Sequence, residues 1–315
     1  MENDSKLRLL YIAKILFERT DEDNMLTGNE IMQILETEYG ISSHRQTIPA
    51  DIDTLKIFGL DIEVIRSINN YYHIVSRVFD TAEVKLLMDA VSSSKFISEK
   101  KSKDLIAKLS SLASDKKADE LKRYIEVEGR IKANNEKLFL IVDTINTAIS
   151  ANRKVGFKYF RYGSDVNEYT FSPYRLVWNG DYYYMIGWSD KHEDIATFRI
   201  DRIKSIPEIL GEKAHAMPKG FNLNKHINTM FHMYSSEREN VTLLCDNKTM
   251  DAIVDKFGEK IKPVKKDKDH FSVTVEVAVN HVFYSWVFGF GGLVQIKSPK
   301  KVKDEYKEML MRAMK

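Results

Sequence analysis

Cysteine is almost missing from this 315-residue chain: Cys245 stands alone, so neither a disulfide framework nor a multi-cysteine zinc site can be built. Long apolar runs are missing too. The longest, Val282–Ile296 ("VFYSWVFGFGGLVQI"), falls short of the ~20 residues that span a bilayer. The start, "MENDSKLRLL", lacks the charged-then-apolar layout of a secretory leader. A soluble protein of the reducing cytoplasm is the expectation. Catalytic signatures are equally scarce. Gly289–Gly292 ("GFGG") is not followed by Gly-Lys-Ser/Thr, no His-Glu-x-x-His occurs, and "HED" at His192–Asp194 reads as a solvated turn. The eight histidines are scattered, and Cys245 on a strand reads as a small apolar core residue. No catalytic residue, metal or cofactor is assigned, and an enzyme is not expected.

A strong charge of one sign is absent as well: the net charge is +2, with 43% hydrophobic and 30% charged residues, an ordinary globular balance. Its distribution says more. Residues 1–78 carry 8 basic and 13 acidic side chains, a net −5, whereas residues 211–315 carry 18 and 13, a net +5. The length suits two or three domains. A nucleic-acid-binding chain is expected to show a basic footprint, and here it is modest and C-terminal.

What is present begins with helical periodicity. Leu9, Ile12, Ala13, Leu16 and Phe17 line one face of a first helix. Thr27 followed by Glu30 is a capping-box signature that opens a second, with Ile31, Ile34 and Leu35 inside and Gly40 as the stop. A third falls in "SSHRQTIPADIDTLKIFG", with Ile48, Ile52 and Leu55 inward and Gly59 at its end. Pro49 fits only a first helical turn, which draws the expected start toward His44–Gln46. Two short β-like runs around Ser67–Asn70 read as a hairpin. Three helices and a hairpin in this order predict a winged helix-turn-helix over residues 1–78. The DNA-reading end would be Ser42, Ser43, His44, Arg45, Gln46 and Thr47, where the turn aims N–H groups and side chains at the major groove. Arg45 suits phosphate or guanine, and Gln46 suits adenine. The acidic balance keeps a protein-interaction module open beside this reading.

Residues 79–133 read as a charged helical connector, with Leu86, Leu87, Ala90 and Val91 as one apolar stripe and Leu105, Leu109 and Leu112 as another. An amphipathic helix in "KLFLIVDTINTAISAN" then leads into "KVGFKYFRY", where Val155, Phe157 and Tyr159 alternate as in a strand. Next comes "SPYRLVWNGDYYYMIGW", Ser172–Trp188. Its Asn179-Gly180 step predicts a two-residue type I′ turn, which sets Trp178 opposite Asp181, Val177 opposite Tyr182, Leu176 opposite Tyr183 and Arg175 opposite Tyr184. Alternation then groups Arg175, Val177, Tyr182, Tyr184, Ile186 and Trp188 on one face. A further strand, "IATFRIDRIKSI", places Phe198, Ile200 and Arg202 on one side and Arg199, Asp201 and Ile203 on the other. Its arginines are either paired within the fold, with Asp201 at hand, or form an anion site beside stacking rings, as proteins use for nucleotides and single strands. The tail alternates strand and helix and suits an α+β sandwich of ferredoxin-like type.

The residues "SPYRLVWNGDYYYMIGW…TFRIDRI" resemble the core of the WYL-domain family of bacterial transcriptional regulators. The family's Trp-Tyr-Leu triplet falls on Tyr183, Tyr184 and Met185, so two of its three residues are replaced here. "HRQTIPADIDTLKIFG" resembles the recognition-helix region, with Pro49-Ala50 where many relatives carry a bulky polar pair, and "FYSWVFGFGGLVQIKSP" resembles the C-terminal extension. The resemblance implies a multidomain α+β chain. Residues 1–78 would be a winged helix-turn-helix, 79–133 a connector, 134–210 an SH3/Sm-like small β-barrel (the WYL domain), 211–235 a linker, and 236–315 a ferredoxin-like extension. Carried over by position, it implicates Ser172, Tyr174, Arg175, Tyr184, Arg199 and Arg202 in sensing a nucleotide or single-stranded nucleic acid. Double-stranded operator DNA would be the other partner, and a homodimer is expected because two-fold proteins read paired half-sites.

Overall fold

The computed structural model describes residues 2–125, 132–161, 165–224, 227 and 238–314. Its contacts separate into two units, residues 1–136 and 137–315.

The first unit begins with α1 (Glu2–Arg19), α2 (Gly28–Tyr39) and α3 (Thr47–Phe58), followed by the hairpin β2 (Ile62–Arg66) and β3 (Asn70–Ile74). A two-residue strand, β1 (Leu26–Thr27), completes a sheet of order β1-β3-β2. The start of α2 is held as its sequence requires: Thr27 Oγ1 accepts from Glu30 N–H at 3.3 Å, and Glu30 Oε2 accepts from Thr27 N–H at 2.7 Å. Ile12, Ile15, Leu16, Ile31, Leu35, Ile48, Ile52, Leu55 and Tyr72 share one core. Helix α3 starts at Thr47, not at His44–Gln46. Pro49 is therefore its third residue, where the missing N–H costs nothing, because the first four N–H groups of a helix have no partner inside it.

Helices α4 (Thr81–Ser93), α5 (Glu99–Ser110) and α6 (Asp115–Arg123) follow, with Val84, Met88, Ile106 and Leu121 as their core. On α4 the buried face is Val84, Met88 and Ser92, while Leu86, Leu87 and Ala90 are exposed. The stripe read from the sequence is thus rotated: both sets repeat at helical spacing, and of the expected stripe Val91 packs against this core. Arg77 ties this layer to α1. Its guanidinium donates to the carbonyls of Phe17 (2.6 Å), Thr20 (2.7 Å) and Leu112 (3.5 Å), and burial pulls its pKa down. Ser114 Oγ donates to Asp21 beside it, and Lys117 pairs with Asp23 at 2.7 Å.

The second unit opens with α7 (Leu138–Ser150) lying on a five-stranded antiparallel sheet of order β7-β6-β5-β4-β8. The strands are β4 (Arg153–Tyr159), β5 (Asn167–Asn179), β6 (Tyr182–Ser189), β7 (Asp194–Arg199) and β8 (Glu208–Lys213). Its core is aromatic: Phe157, Tyr169, Phe171 and Phe198 meet at centroid distances of 4.7–6.2 Å, mostly edge to face. Strand β8 runs past residue 210 into the expected linker, of which residues 225, 226 and 228–235 lie outside the described residues. The remaining elements are β9 (Arg238–Asp246), α8 (Met250–Phe257), β10 (Val264–Lys265), β11 (His270–Ala278), α9 (His281–Phe288), β12 (Val294–Ser298) and α10 (Lys300–Ala313). They form a β-α-β-β-α-β-α succession with sheet order β10-β11-β9-β12. Cys245 is fully buried in this core, and its thiol is pushed up to about 11 by burial, so it stays protonated and inert. Among the described residues no helix is long and apolar enough to cross a membrane.

Candidate functional site

Two regions collect the residues singled out in the sequence. In the first unit, Ser42–Gln46 form the turn leading into α3 and Thr47 is its first residue. Thr47 Oγ1 and N–H both donate to the His44 carbonyl (2.6 and 2.9 Å), which closes the turn. Ser42, His44, Arg45 and Gln46 are exposed, while the buried Ser43 hydroxyl has no partner among the described residues. On the far side of α3, a groove of about 620 Å³ against the hairpin carries Asp53, Asp61 and Glu63 with Lys56 and Arg66. Three large apolar side chains of this layer are exposed: Ile57 (87%) and Phe58 (81%) at the end of α3, and Ile68 (96%) at the hairpin tip.

In the second unit, the β5–β6 turn decides the geometry. Gly180 has φ 56° while Asp181 does not enter the positive-φ region, so the loop is Gly180-Asp181 with glycine first, as in a II′ turn, rather than Asn179-Gly180. Pairing therefore slides by two residues. Asn179 opposes Tyr182, Trp178 opposes Tyr183, Val177 opposes Tyr184 and Arg175 opposes Ile186. A slip of two preserves the face of every side chain, so Arg175, Val177, Tyr182, Tyr184 and Ile186 still share one side. A bulge at Tyr174 follows, beyond which Ser172 opposes Trp188.

At the bulge, chain from residues 214–224 lies over the sheet. Ser172 is fully buried, and its Oγ accepts from His215 N–H at 2.8 Å. His215 stacks on Trp188 at 4.1 Å with an 8° interplanar angle. The Tyr174 hydroxyl donates to the Ala216 carbonyl at 3.2 Å, and Arg175 Nη1 donates to Asn224 Oδ1 at 2.9 Å. Leu223 and Ile227 cover Tyr184 and Ile186. Gly187 is required here, because a Cβ would meet the Ser172 carbonyl oxygen at 2.1 Å and the Phe171 ring at 2.7 Å.

At the other end of the same face, a cavity of about 790 Å³ opens beside β6 and β7. Tyr159, Tyr182, Tyr184, Thr197, Arg161, Arg199 and Arg202 line it, with His192 and Asp194 at the β6–β7 turn and His281 and Val282 from the start of α9. Arg199 pairs across the ladder with Tyr184 and so shares its face. After Arg199 the strand gives way to a 3-10 turn, Ile200–Arg202. Positions i and i+3 eclipse in a 3-10 turn, which brings Arg202 to the cavity beside Arg199 where strand alternation set them on opposite sides.

The two arginines are differently committed. Arg199 binds Asp201 through two hydrogen bonds (2.7 and 3.1 Å), and its guanidinium carbon lies 3.2 Å from the Tyr182 ring centroid. Burial pulls its pKa down, but the Asp201 hydrogen bond and charge raise it further, so the cation is fixed. Arg202 is half-buried, and among the described residues its side chain makes no hydrogen bond and no ion pair. Tyr159 is 4% exposed, its pKa raised by burial, and its hydroxyl accepts from Arg199 N–H at 3.1 Å. The Thr197 hydroxyl is buried without a partner among the described residues.

Comparison with known families is decisive for this unit. The WYL domain model matches residues 141–207, which span α7 to the 3-10 turn, and the WCX domain model matches residues 237–314. The chain carries a WYL domain and a WCX domain in these two stretches. Among solved structures it is similar to the proteasome accessory factor B/C (PafBC) of Arthrobacter aurescens, at 17% identity with a TM-score of 0.31, covering 96% of this chain and 45% of that one. It is also similar to a CRISPR Cas-related protein, at 15% identity with a TM-score of 0.40, covering 92% of this chain and 77% of that one. The chain thus spans less than half the length of the first. No curated protein matches it.

Of the six residues implicated in the WYL domain, the cavity gathers Tyr184, Arg199 and Arg202. Ser172, Tyr174 and Arg175 lie instead along the seam with residues 214–224. The cavity also holds Tyr159, Arg161, Tyr182, Thr197 and His281, which the sequence reading did not single out. Tyr159 and Tyr182 carried a usable signal, since both sit on the faces that alternation defines. His281 carried none, because it lies about 80 residues from Arg202 and reaches the cavity only through the fold.

Proposed function

We propose that this WYL-domain protein is a DNA-binding transcriptional regulator whose β-domain senses an anionic ligand, a nucleotide or single-stranded nucleic acid. The reading takes residues 1–78 as a winged helix-turn-helix, the five-stranded unit as an SH3/Sm-like small barrel and the C-terminal unit as ferredoxin-like. The observation that carries it is the cavity, where Arg161, Arg199 and Arg202 are flanked by tyrosine rings and Arg202 makes no side-chain hydrogen bond or ion pair among the described residues. Arg202 offers a planar fork for phosphate, and Tyr182 and Tyr184 offer stacking surface for a base. A volume of about 790 Å³ suits a ligand of a few hundred daltons or one or two bases of a strand. We read binding rather than turnover as its chemistry. The exposed turn Ser42–Thr47 would meet operator DNA, with Arg45 on phosphate or guanine, and a cytoplasmic homodimer would read paired half-sites.

The test is selection of fragmented genomic DNA on the purified protein, followed by anisotropy titration at two salt concentrations. A defined, two-fold site supports the reading. Binding that is salt-sensitive but indifferent to sequence reduces it to charge attraction. A second reading, a protein-interaction adaptor, is favoured by the net acidic balance of residues 1–78 and by the exposed Ile57, Phe58 and Ile68. Failure to retain any duplex at low salt, with or without oligonucleotide, would decide for it.

A further inference from the structure

His281 belongs to the C-terminal, WCX-matched part of the chain, yet it lines the same cavity as Arg199 and Arg202. It is the first residue of α9, and its side chain is exposed. The helix end itself is not offered to a ligand, because Asn280 Oδ1 already accepts from the N–H groups of Val282 (2.9 Å) and Phe283 (3.1 Å). What α9 contributes is therefore the imidazole, with Val282 behind it. Sites at the junction of two domains are where ligands commonly lodge, since each side supplies part of the wall.

We propose that the cavity is a two-domain clamp: Arg202 and the tyrosines of the WYL domain hold a phosphate-bearing ligand from one side, and His281 closes on its anionic group from the other. Arg199 is a positioning residue, held by Asp201 and spread on Tyr182 to support the ring. This assignment rests on the reading of the cavity as a ligand site and adds which residue of the second domain completes it. A bound anion would then link the WYL and WCX domains directly, since both touch it.

Two sources share this chemistry, a free nucleotide and a single strand. The test is titration of the full chain with fluorescein-labelled pentathymidylate, with unlabelled dTMP as competitor. His281→Ala is expected to weaken binding about tenfold, as for loss of one charge-assisted hydrogen bond. His281→Lys, which puts a hydrogen-bond donor in the same place, is expected to restore it to within about twofold of wild type. The urea midpoint of both variants should match wild type. Competition by dTMP would assign the site to a free nucleotide, and its absence to a strand; either leaves His281 in place. Wild-type affinity in His281→Ala, together with loss of binding in Arg202→Ala, would overturn the clamp while the cavity reading stands. Absence of binding by wild type itself would overturn both.

Discussion

The two ends of one sheet face make an instructive contrast. Around the bulge, Ser172, Tyr174 and Arg175 each spend a side-chain hydrogen bond on residues 215–224. Around the 3-10 turn, Arg202 spends none on the described residues and borders a cavity beside two tyrosines. The residue types are the same, arginine, tyrosine and a hydroxyl. A cation satisfied by the chain is architecture, and a half-buried cation facing a cavity is open to a ligand. Arg199 stands between the two conditions, at the cavity but already paired with Asp201.

The contrast breaks most visibly at Gly187. Replacing it with alanine forces a methyl group onto the Ser172 carbonyl and the Phe171 ring, which must move together. The expected loss in urea unfolding is about 3 kcal/mol or more. A loss under about 1 kcal/mol would mean that the bulge is not closed as described. Next comes Arg199→Ala, expected to cost about 2 kcal/mol, because it removes two charge-assisted hydrogen bonds from the mostly buried Asp201 carboxylate. Arg202→Ala, by the same measurement, is expected within about 0.5 kcal/mol of wild type, because it removes no pairing. If the two arginine variants proved equally stable, the distinction between them would fail. On the closed side, Ser172→Ala should cost about 1 kcal/mol by stranding the His215 N–H.

A smaller effect sharpens the same distinction in the first unit. Burial works to raise the Asp21 pKa, but hydrogen bonds from Ser114, Asn24 and two backbone N–H groups lower it below the usual carboxylate value. A lowered folded-state pKa means that the stabilisation is present above about pH 4 and is lost as pH falls through the folded value. Ser114→Ala is expected to raise the acid-unfolding midpoint of the first unit by a few tenths of a pH unit. An unchanged midpoint would remove Asp21 from the tie between α1 and α6.

How much of this was written in the sequence can be argued from the hairpin. The Asn179-Gly180 step announced a tight turn, and alternation grouped the right side chains on one face. The partner of each residue was wrong by two, because Asn-Gly and Gly-Asp both make two-residue turns and only the backbone angles separate them. Period-two alternation absorbed that slip, so the face survived. Non-repeating features were illegible: the bulge at Tyr174, the 3-10 turn that swings Arg202 beside Arg199, and the arrival of His281 from another domain. Local pattern carries elements and faces, whereas a site assembled from irregular backbone and distant chain depends on tertiary packing. Helix α4 teaches the same from the other side, since Leu86 and Leu87 have the stronger apolar signal yet stay exposed while Val84 and Met88 are buried.

The most direct measurement is the affinity of the full chain for labelled pentathymidylate in three forms: wild type, Arg175→Ala and Arg202→Ala. The expected result is binding by wild type, little change in Arg175→Ala, and a loss of about tenfold or more in Arg202→Ala. The reverse order, with Arg175 essential and Arg202 dispensable, would contradict the placement of the ligand in the cavity and move it to the seam over the bulge.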